Sequence, residues 1–189
     1  LVFLDARVCP GDLIQVFAFD DDYSFGILQS NLHAAWSQSS SRLRCERDLR
    51  YSVRAVFETF PWPQAPADAS VVAVAEAARR LRAARAAAAA PGLRALYRSL
   101  EDGAQPALRA AHADLDRAVR GAYGLAAEAS QEALAALNHA IAARVDAGEV
   151  VTGPGVPASY AGDLAALRST DRLLADEAAR SFTCLKGQA

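Results

Sequence analysis

The sequence predicts an α+β chain that is mostly helical overall. A small mixed α/β lobe is expected over residues 1–62, followed by a mainly α-helical bundle domain over 63–189. The composition changes sharply near residue 63. Six of the seven phenylalanines and both tryptophans precede that point, and alanine-rich, arginine-studded blocks of helix length follow it. The hydrophobic period changes as well, from short runs of β-formers to stripes spaced three and four residues apart.

Within the first part, Leu13 to Phe19 is an apolar run bounded by Pro10–Gly11–Asp12 and Asp20–Asp21–Asp22, the pattern of a buried strand. Ser24 to Leu28 has the length of a second short strand. Ser30 then offers an N-cap for a helix through Trp36, with Leu32 and Trp36 on one face, and Ser37 to Ser41 reads as a polar loop. Tyr51 to Phe60 is β-branched and aromatic and is expected to pair as a strand. Pro61–Trp62–Pro63 closes the unit, because two prolines forbid continued helix or central strand.

In the second part, Asp68 is expected to cap a helix whose face is Val71, Val72, Val74, Ala75, Ala78 and Leu81, stopped by Pro91–Gly92. Leu93 to Leu100 forms a short helix. Pro106 sits in the first turn of a third, where its missing N–H costs nothing, and Leu108, Ala111, Leu115, Val119 and Ala122 make that helix's apolar stripe. Ser130 opens a fourth with Leu134, Leu137, Ile141 and Val145, ended by Gly148. Asp163 to Phe182 reads as a fifth. Five helices with short connections imply a bundle.

The chain's 189 residues are 52% apolar and 22% charged, with a formal net charge of −2, which excludes a disordered chain and gives no whole-chain argument for nucleic acid. The sequence holds no apolar run of about 18 residues, so a membrane span is not expected. Leu1 to Leu4 is followed at once by Asp5 and Arg7, unlike a signal peptide. Cys9, Cys45 and Cys184 are far apart and none belongs to a C-x-x-C pair. That argues against a disulfide framework and a zinc site and favours a reducing, cytoplasmic setting. The absence of methionine, with an apolar strand-like start at Leu1, leads us to expect a part of a longer polypeptide.

The stretch Phe17–Ala18–Phe19–Asp20–Asp21–Asp22–Tyr23–Ser24–Phe25–Gly26–Ile27–Leu28–Gln29–Ser30, with His33 and Trp36, is distinctive. So is Leu49–Arg50–Tyr51 followed by Val56–Phe57–Glu58–Thr59–Phe60–Pro61–Trp62–Pro63–Gln64. Together they resemble the end of the target-recognition domain of MmeI-like DNA methyltransferases and restriction-modification enzymes. Leu93 to Glu101, Ala111 to Val119, Ala122–Tyr123–Gly124, Asn138 and the stretch from Ala147 to Gly155 are similar to that family's C-terminal helical domain. The resemblance implies a DNA-binding, sequence-recognition fragment of a bacterial S-adenosylmethionine-dependent DNA adenine-N6 methyltransferase, in some members joined to an endonuclease. Its partners would be double-stranded DNA and an upstream methyltransferase domain of the same chain, with no membrane involved. The Asn/Asp-Pro-Pro-Tyr motif and the cofactor loop of that family lie upstream and are not in these residues. No catalytic, cofactor-binding or metal-binding residue is therefore expected here, and S-adenosylmethionine is expected in the parent's upstream domain. Asp21–Asp22–Tyr23 is not the catalytic motif, since no Pro-Pro precedes Tyr23.

On this reading the DNA-binding candidates are Gln29, Ser30, Asn31, Arg42, Arg44, Arg47, Arg50 and Tyr51. Between Arg42 and Arg54, five arginines face one glutamate and one aspartate, leaving three net positive charges. Guanidinium groups bind guanine edges bidentately or neutralise phosphates. The plainer alternative is a solvated loop with weak local ion pairs. Gln29, Ser30 and Asn31 sit at a helix start, where N–H groups suit a phosphate and amide side chains suit adenine, although simple capping by Ser30 fits as well. His33 is read as a packing residue and Trp62 as an interdomain plug. Arg79, Arg80, Arg82 and Arg85 form a second basic group, fit for the phosphate backbone, for the parent's methyltransferase core, or for plain solvent. His112, Asp114 and Asp116 point to different sides of a helix and cannot share a metal ion. The rival to DNA recognition is a helical protein-interaction or scaffolding module without DNA binding.

Overall fold

Asp21 begins the first helix. Its carboxylate accepts the Ser24 N–H at 2.6 Å, and α1 runs Asp22–Gln29. The computed structural model describes residues 1–11, 14–40, 51–88, 90, 92–125 and 131–172. Among these, α2 is Asn31–Ser40, α3 Asp68–Ala87, α4 Leu93–Glu101, α5 Pro106–Tyr123, α6 Gln131–Asp146 and α7 Leu164–Leu167. A single π-helical turn, Val53–Phe57, sits between α2 and α3; the Ser52 hydroxyl caps it by accepting the Ala55 N–H, and its wide i→i+5 bond runs from Glu58 N–H to the Val53 carbonyl.

α3 is the central element. Val71, Val74, Ala75, Ala77, Ala78 and Leu81 are all buried on it, and it packs against α1 on one side and α5 on the other. One apolar cluster joins Tyr23 and Ile27 of α1, Leu108, Leu115 and Val119 of α5, Leu134 of α6 and Leu167 of α7. Gly26 makes the α1–α3 approach close: a Cβ there would lie 2.7 Å from Val74 Cγ1. α5 ends where Gly124 turns left-handed at φ 64°, and Leu125 N–H closes back on the Arg120 carbonyl.

The mostly helical character and the Pro106 start of α5 agree with the sequence reading, but the α/β lobe does not form. Among the described residues there is no sheet; an isolated antiparallel bridge pairs Asp21 with Arg168. Residues 15–19 form neither a helix nor a ladder. Phe17 and Phe19 turn inward, while Val16 is 67% exposed. Ser24 to Leu28, expected as a strand, lies inside α1: the Asp21 cap sets the helix, and burial on all sides removes the one-sided pattern that marks a helix in sequence. Ser37 to Ser40, expected as loop, continues α2. Tyr51 to Phe60 is a capped helical turn rather than a strand, because Ser52 and Thr59 both bond to the local backbone. Asp68 is the first residue of α3 and accepts the Ala161 N–H, the N-cap being Ala67. The last helix spans only Leu164–Leu167 of the expected 163–182, of which 173–182 lie outside the described residues.

Candidate nucleic-acid interface

The junction between α1 and α2 carries three of the sequence candidates. Ser30 is buried, and its hydroxyl donates to the Ile27 carbonyl at 2.7 Å while accepting the His33 N–H at 3.4 Å. Capping, one of the two readings of Ser30, is thus present. The Asn31 N–H donates to Asp116 Oδ1 of α5 at 2.8 Å, so a carboxylate from a distant helix sits at the positive end of α2. Burial raises the pKa of Asp116, opposed by this N–H and by the nearby Arg120. The Asn31 side chain stays exposed. Gln29 is half-buried at the end of α1, its Oε1 accepting from the Leu1 amino group at 3.0 Å.

Tyr51 returns the chain to the same place. Its hydroxyl lies 3.1 Å from His33 Nε2, and the His33 ring packs edge-on against Phe60. Burial pushes the His33 pKa down to about 4 and the Tyr51 phenol up to about 12, so both are neutral near pH 7, with the phenol donating to the imidazole. His33 is a packing residue, as expected. Arg42, Arg44, Arg47 and Arg50 lie outside the described residues; the ends of their segment are Ser40 of α2 and Tyr51 beside His33.

The aromatic–proline element docks this region onto the helices. Trp62 is 2% exposed and meets Phe19, Phe57 and Phe60 at 5.9–6.4 Å between ring centroids. Trp36 Nε1 donates to the Val56 carbonyl and to Thr59 Oγ1. Two prolines remove backbone donors here, and carbonyls in this stretch need partners from elsewhere. Tyr123 of α5 supplies one, its hydroxyl donating to the Pro61 carbonyl at 2.8 Å. Asn138 of α6 supplies another, its amide donating to the Thr59 carbonyl at 2.7 Å. Gln64 pairs with Thr152 in both directions, its Nε2 donating to the Thr152 carbonyl and its Oε1 accepting the Thr152 N–H, each at 3.0 Å. The side-chain amide thereby imitates one rung of a sheet.

Of the second arginine group, Arg79, Arg82 and Arg85 reach internal partners, whereas Arg80 is exposed, 3.9 Å from Glu76. Asp22 is fully buried. Arg79 Nε donates to its Oδ2 at 2.5 Å, and Arg82 Nη1 approaches Oδ1 at 2.6 Å as an ion pair bent away from hydrogen-bond geometry. Arg82 also pairs with Asp171 at 3.1 Å, and Arg79 donates to the Ala166 carbonyl. Arg82 Cζ lies 5.1 Å from the ring centroids of both Phe3 and Phe25. Arg85 donates to Tyr97 Oη, which in turn bonds to His112 Nε2 at 2.9 Å. Sequence reasoning missed Asp22, Asp116, Tyr123 and Asn138 as partners across the fold. A signal existed for each: Asp22 stood in a stretch that resembled the recognition domain, and Asp116, Tyr123 and Asn138 stood in stretches that resembled the helical domain.

Comparison with known proteins agrees with this arrangement. Residues 1–64 match the family described as MmeI, target recognition domain. The resemblance carried by the aromatic–proline element is thereby borne out. A solved structure of the Type IIL restriction-modification enzyme MmeI in complex with DNA is similar at a TM-score of 0.57 and 30% identity. The similarity covers 65% of this chain and 16% of the MmeI chain, so these residues correspond to a small share of that enzyme's length. Comparison with curated proteins found no match. Among the described residues no helix is long and apolar enough to cross a membrane.

Proposed function

We propose that this chain selects the DNA target sequence within a restriction-modification enzyme. Residues 1–62 form the end of the recognition unit, and residues 63–189 are the helical support that holds it. The match of residues 1–64 to the MmeI target recognition domain carries this reading. The similarity to an enzyme solved with DNA supports it. Duplex DNA is the partner, and the segment 42–50, flanked by Asn31 and Tyr51, makes the contacts that choose bases. Adenine-N6 methylation with S-adenosylmethionine belongs to a methyltransferase domain elsewhere in the same polypeptide; the residues here position DNA for it and move no methyl group themselves. Such a domain would turn the target base out of the stack while this lobe reads its neighbours.

Binding of the intact protein to duplexes of varied sequence, measured at two salt concentrations, tests the reading. Several arginine–phosphate contacts give a steep loss of affinity with salt, whereas a hydrophobic protein-docking surface gives a shallow one. Arg44→Ala or Arg50→Ala is expected to weaken binding or change the preferred site. Wild-type protein that ignores duplex DNA, or two variants unchanged in both affinity and preference, would overturn it.

A further inference from the structure

The exposed side of α5 is a cleft with arginines and almost no side-chain bulk. Ala113, Arg117, Arg120, Gly121 and Leu125 line a space of about 380 Å³, with no acidic residue among them. Arg120 Nε is buried and has no hydrogen-bond partner among the described residues. A buried guanidinium N–H left unpaired is costly unless a ligand takes it. Arg117 stands at the rim, 76% exposed, its one ion pair a surface contact with Asp114 at 2.7 Å that competes weakly. Gly121 lies inside α5 with nothing within 4 Å of where its Cβ would be. Glycine in a helix costs about 1 kcal/mol against alanine, and here no neighbouring side chain or backbone among the described residues requires it.

The cleft lies on the same helix as a contact to the recognition residues. Asp116, which accepts the Asn31 N–H, precedes Arg117 directly and lies one helical turn from Arg120.

Resting on the proposed function, we infer that this α5 cleft binds a phosphodiester of the DNA backbone, with Arg117 and Arg120 as donors and Ala113 and Gly121 leaving room for the strand. Phosphate contacts fix register without reading sequence. This site therefore sets affinity, whereas the 42–50 segment sets choice.

The test is duplex binding by the intact protein over a salt series. Arg120→Ala is expected to weaken binding about tenfold, the worth of one charged hydrogen bond. It should also lower the slope of log affinity against log salt by about one and leave base preference unchanged. Gly121→Glu places a carboxylate in open space, so the fold is kept while phosphate is repelled; Gly121→Ala is its neutral control. The expected result is a loss for Gly121→Glu at least as large as for Arg120→Ala, with Gly121→Ala close to wild type. Wild-type affinity and salt slope in both Arg120→Ala and Gly121→Glu would overturn the inference while leaving the proposed function standing. A wild-type protein that does not bind duplex DNA would overturn both.

Discussion

Gly26 lies where α1 crosses α3 and α5, and its replacement by alanine sets two opposed effects against each other. Within a helix, alanine is favoured over glycine by about 1 kcal/mol. The new methyl, however, would meet Val74 Cγ1 at 2.7 Å, Leu115 Cδ1 at 3.2 Å and the Val74 carbonyl oxygen at 3.3 Å. Carbon atoms in good contact sit about 3.5–4.0 Å apart, so Val74 must move by nearly 1 Å. Val74 is fully buried, and a β-branched side chain in a helix has essentially one rotamer. Overpacking of this kind costs roughly 1–3 kcal/mol. The steric effect wins, and Gly26→Ala is expected to lose about 1 kcal/mol net, or about 3 °C in Tm for a chain of this size. Thermal and urea unfolding of the full chain measure it. Val74→Ala removes the clashing methyl, so adding Gly26→Ala in that background should stabilise, giving a coupling of about 2 kcal/mol in the double-mutant cycle. A Tm raised by Gly26→Ala alone, or the same effect in both backgrounds, would refute the close-approach argument.

Three further outcomes follow from the contacts across the fold. Arg82→Ala leaves the buried Asp22 carboxylate with Arg79 alone and is expected to cost about 3–5 kcal/mol by chemical denaturation; Arg79→Ala, losing a half-exposed partner, should cost clearly less. Tyr123→Phe orphans the Pro61 carbonyl and should cost about 1–2 kcal/mol; a stability equal to wild type would show that solvent replaces the hydroxyl. Acid should destabilise the protein between pH 6.5 and about 4, because the folded state holds the His33 imidazole neutral where the unfolded chain protonates it. Stability is complete above the unfolded pKa and is lost as pH falls, at on the order of 1 kcal/mol per pH unit for this residue. His33→Gln should reduce that slope in urea titrations run at successive pH values, leaving the part due to His112, which burial and Arg85 also hold down at about 4.

How much of this was legible in the sequence depended on whether the deciding contact was local. Pro106 at the start of α5 and the stripe Leu108, Leu115, Val119 were readable, since propensity and period act within one helix. α1 was not. Tyr23, Phe25, Ile27 and Leu28 are all buried, so the segment carries no polar face, and an apolar run of that length reads as a strand. The Tyr51–Phe60 stretch failed for a related reason, its β-forming composition being overridden by the Ser52 cap and by burial of Val56 and Phe60. The arginines of α3 looked like a surface because their partner Asp22 is 57 residues away from Arg79, a distance no local pattern spans. The same holds for Asp116, whose hydrogen bond goes to Asn31, 85 residues away.

These long-range contacts bear on which residues can vary independently. The Asn31 N–H is held by Asp116, and the carbonyls of Thr59 and Pro61 are held by Asn138 and Tyr123. Gln64 meets the main chain of Thr152, a contact blind to side-chain identity, whereas the other three need those particular side chains. A change of base preference confined to residues 42–50 touches none of them. Replacement of residues 1–64 as a block would meet all of them at once. On the proposed function, a grafted recognition segment would therefore keep its geometry only where Asp116, Tyr123 and Asn138, or groups donating and accepting at the same points, are present in the recipient's helices. On the same reading, the helical part constrains recognition through the side chains of Asp116, Tyr123 and Asn138, while the choice of bases is assigned to residues 42–50, which lie outside the described residues.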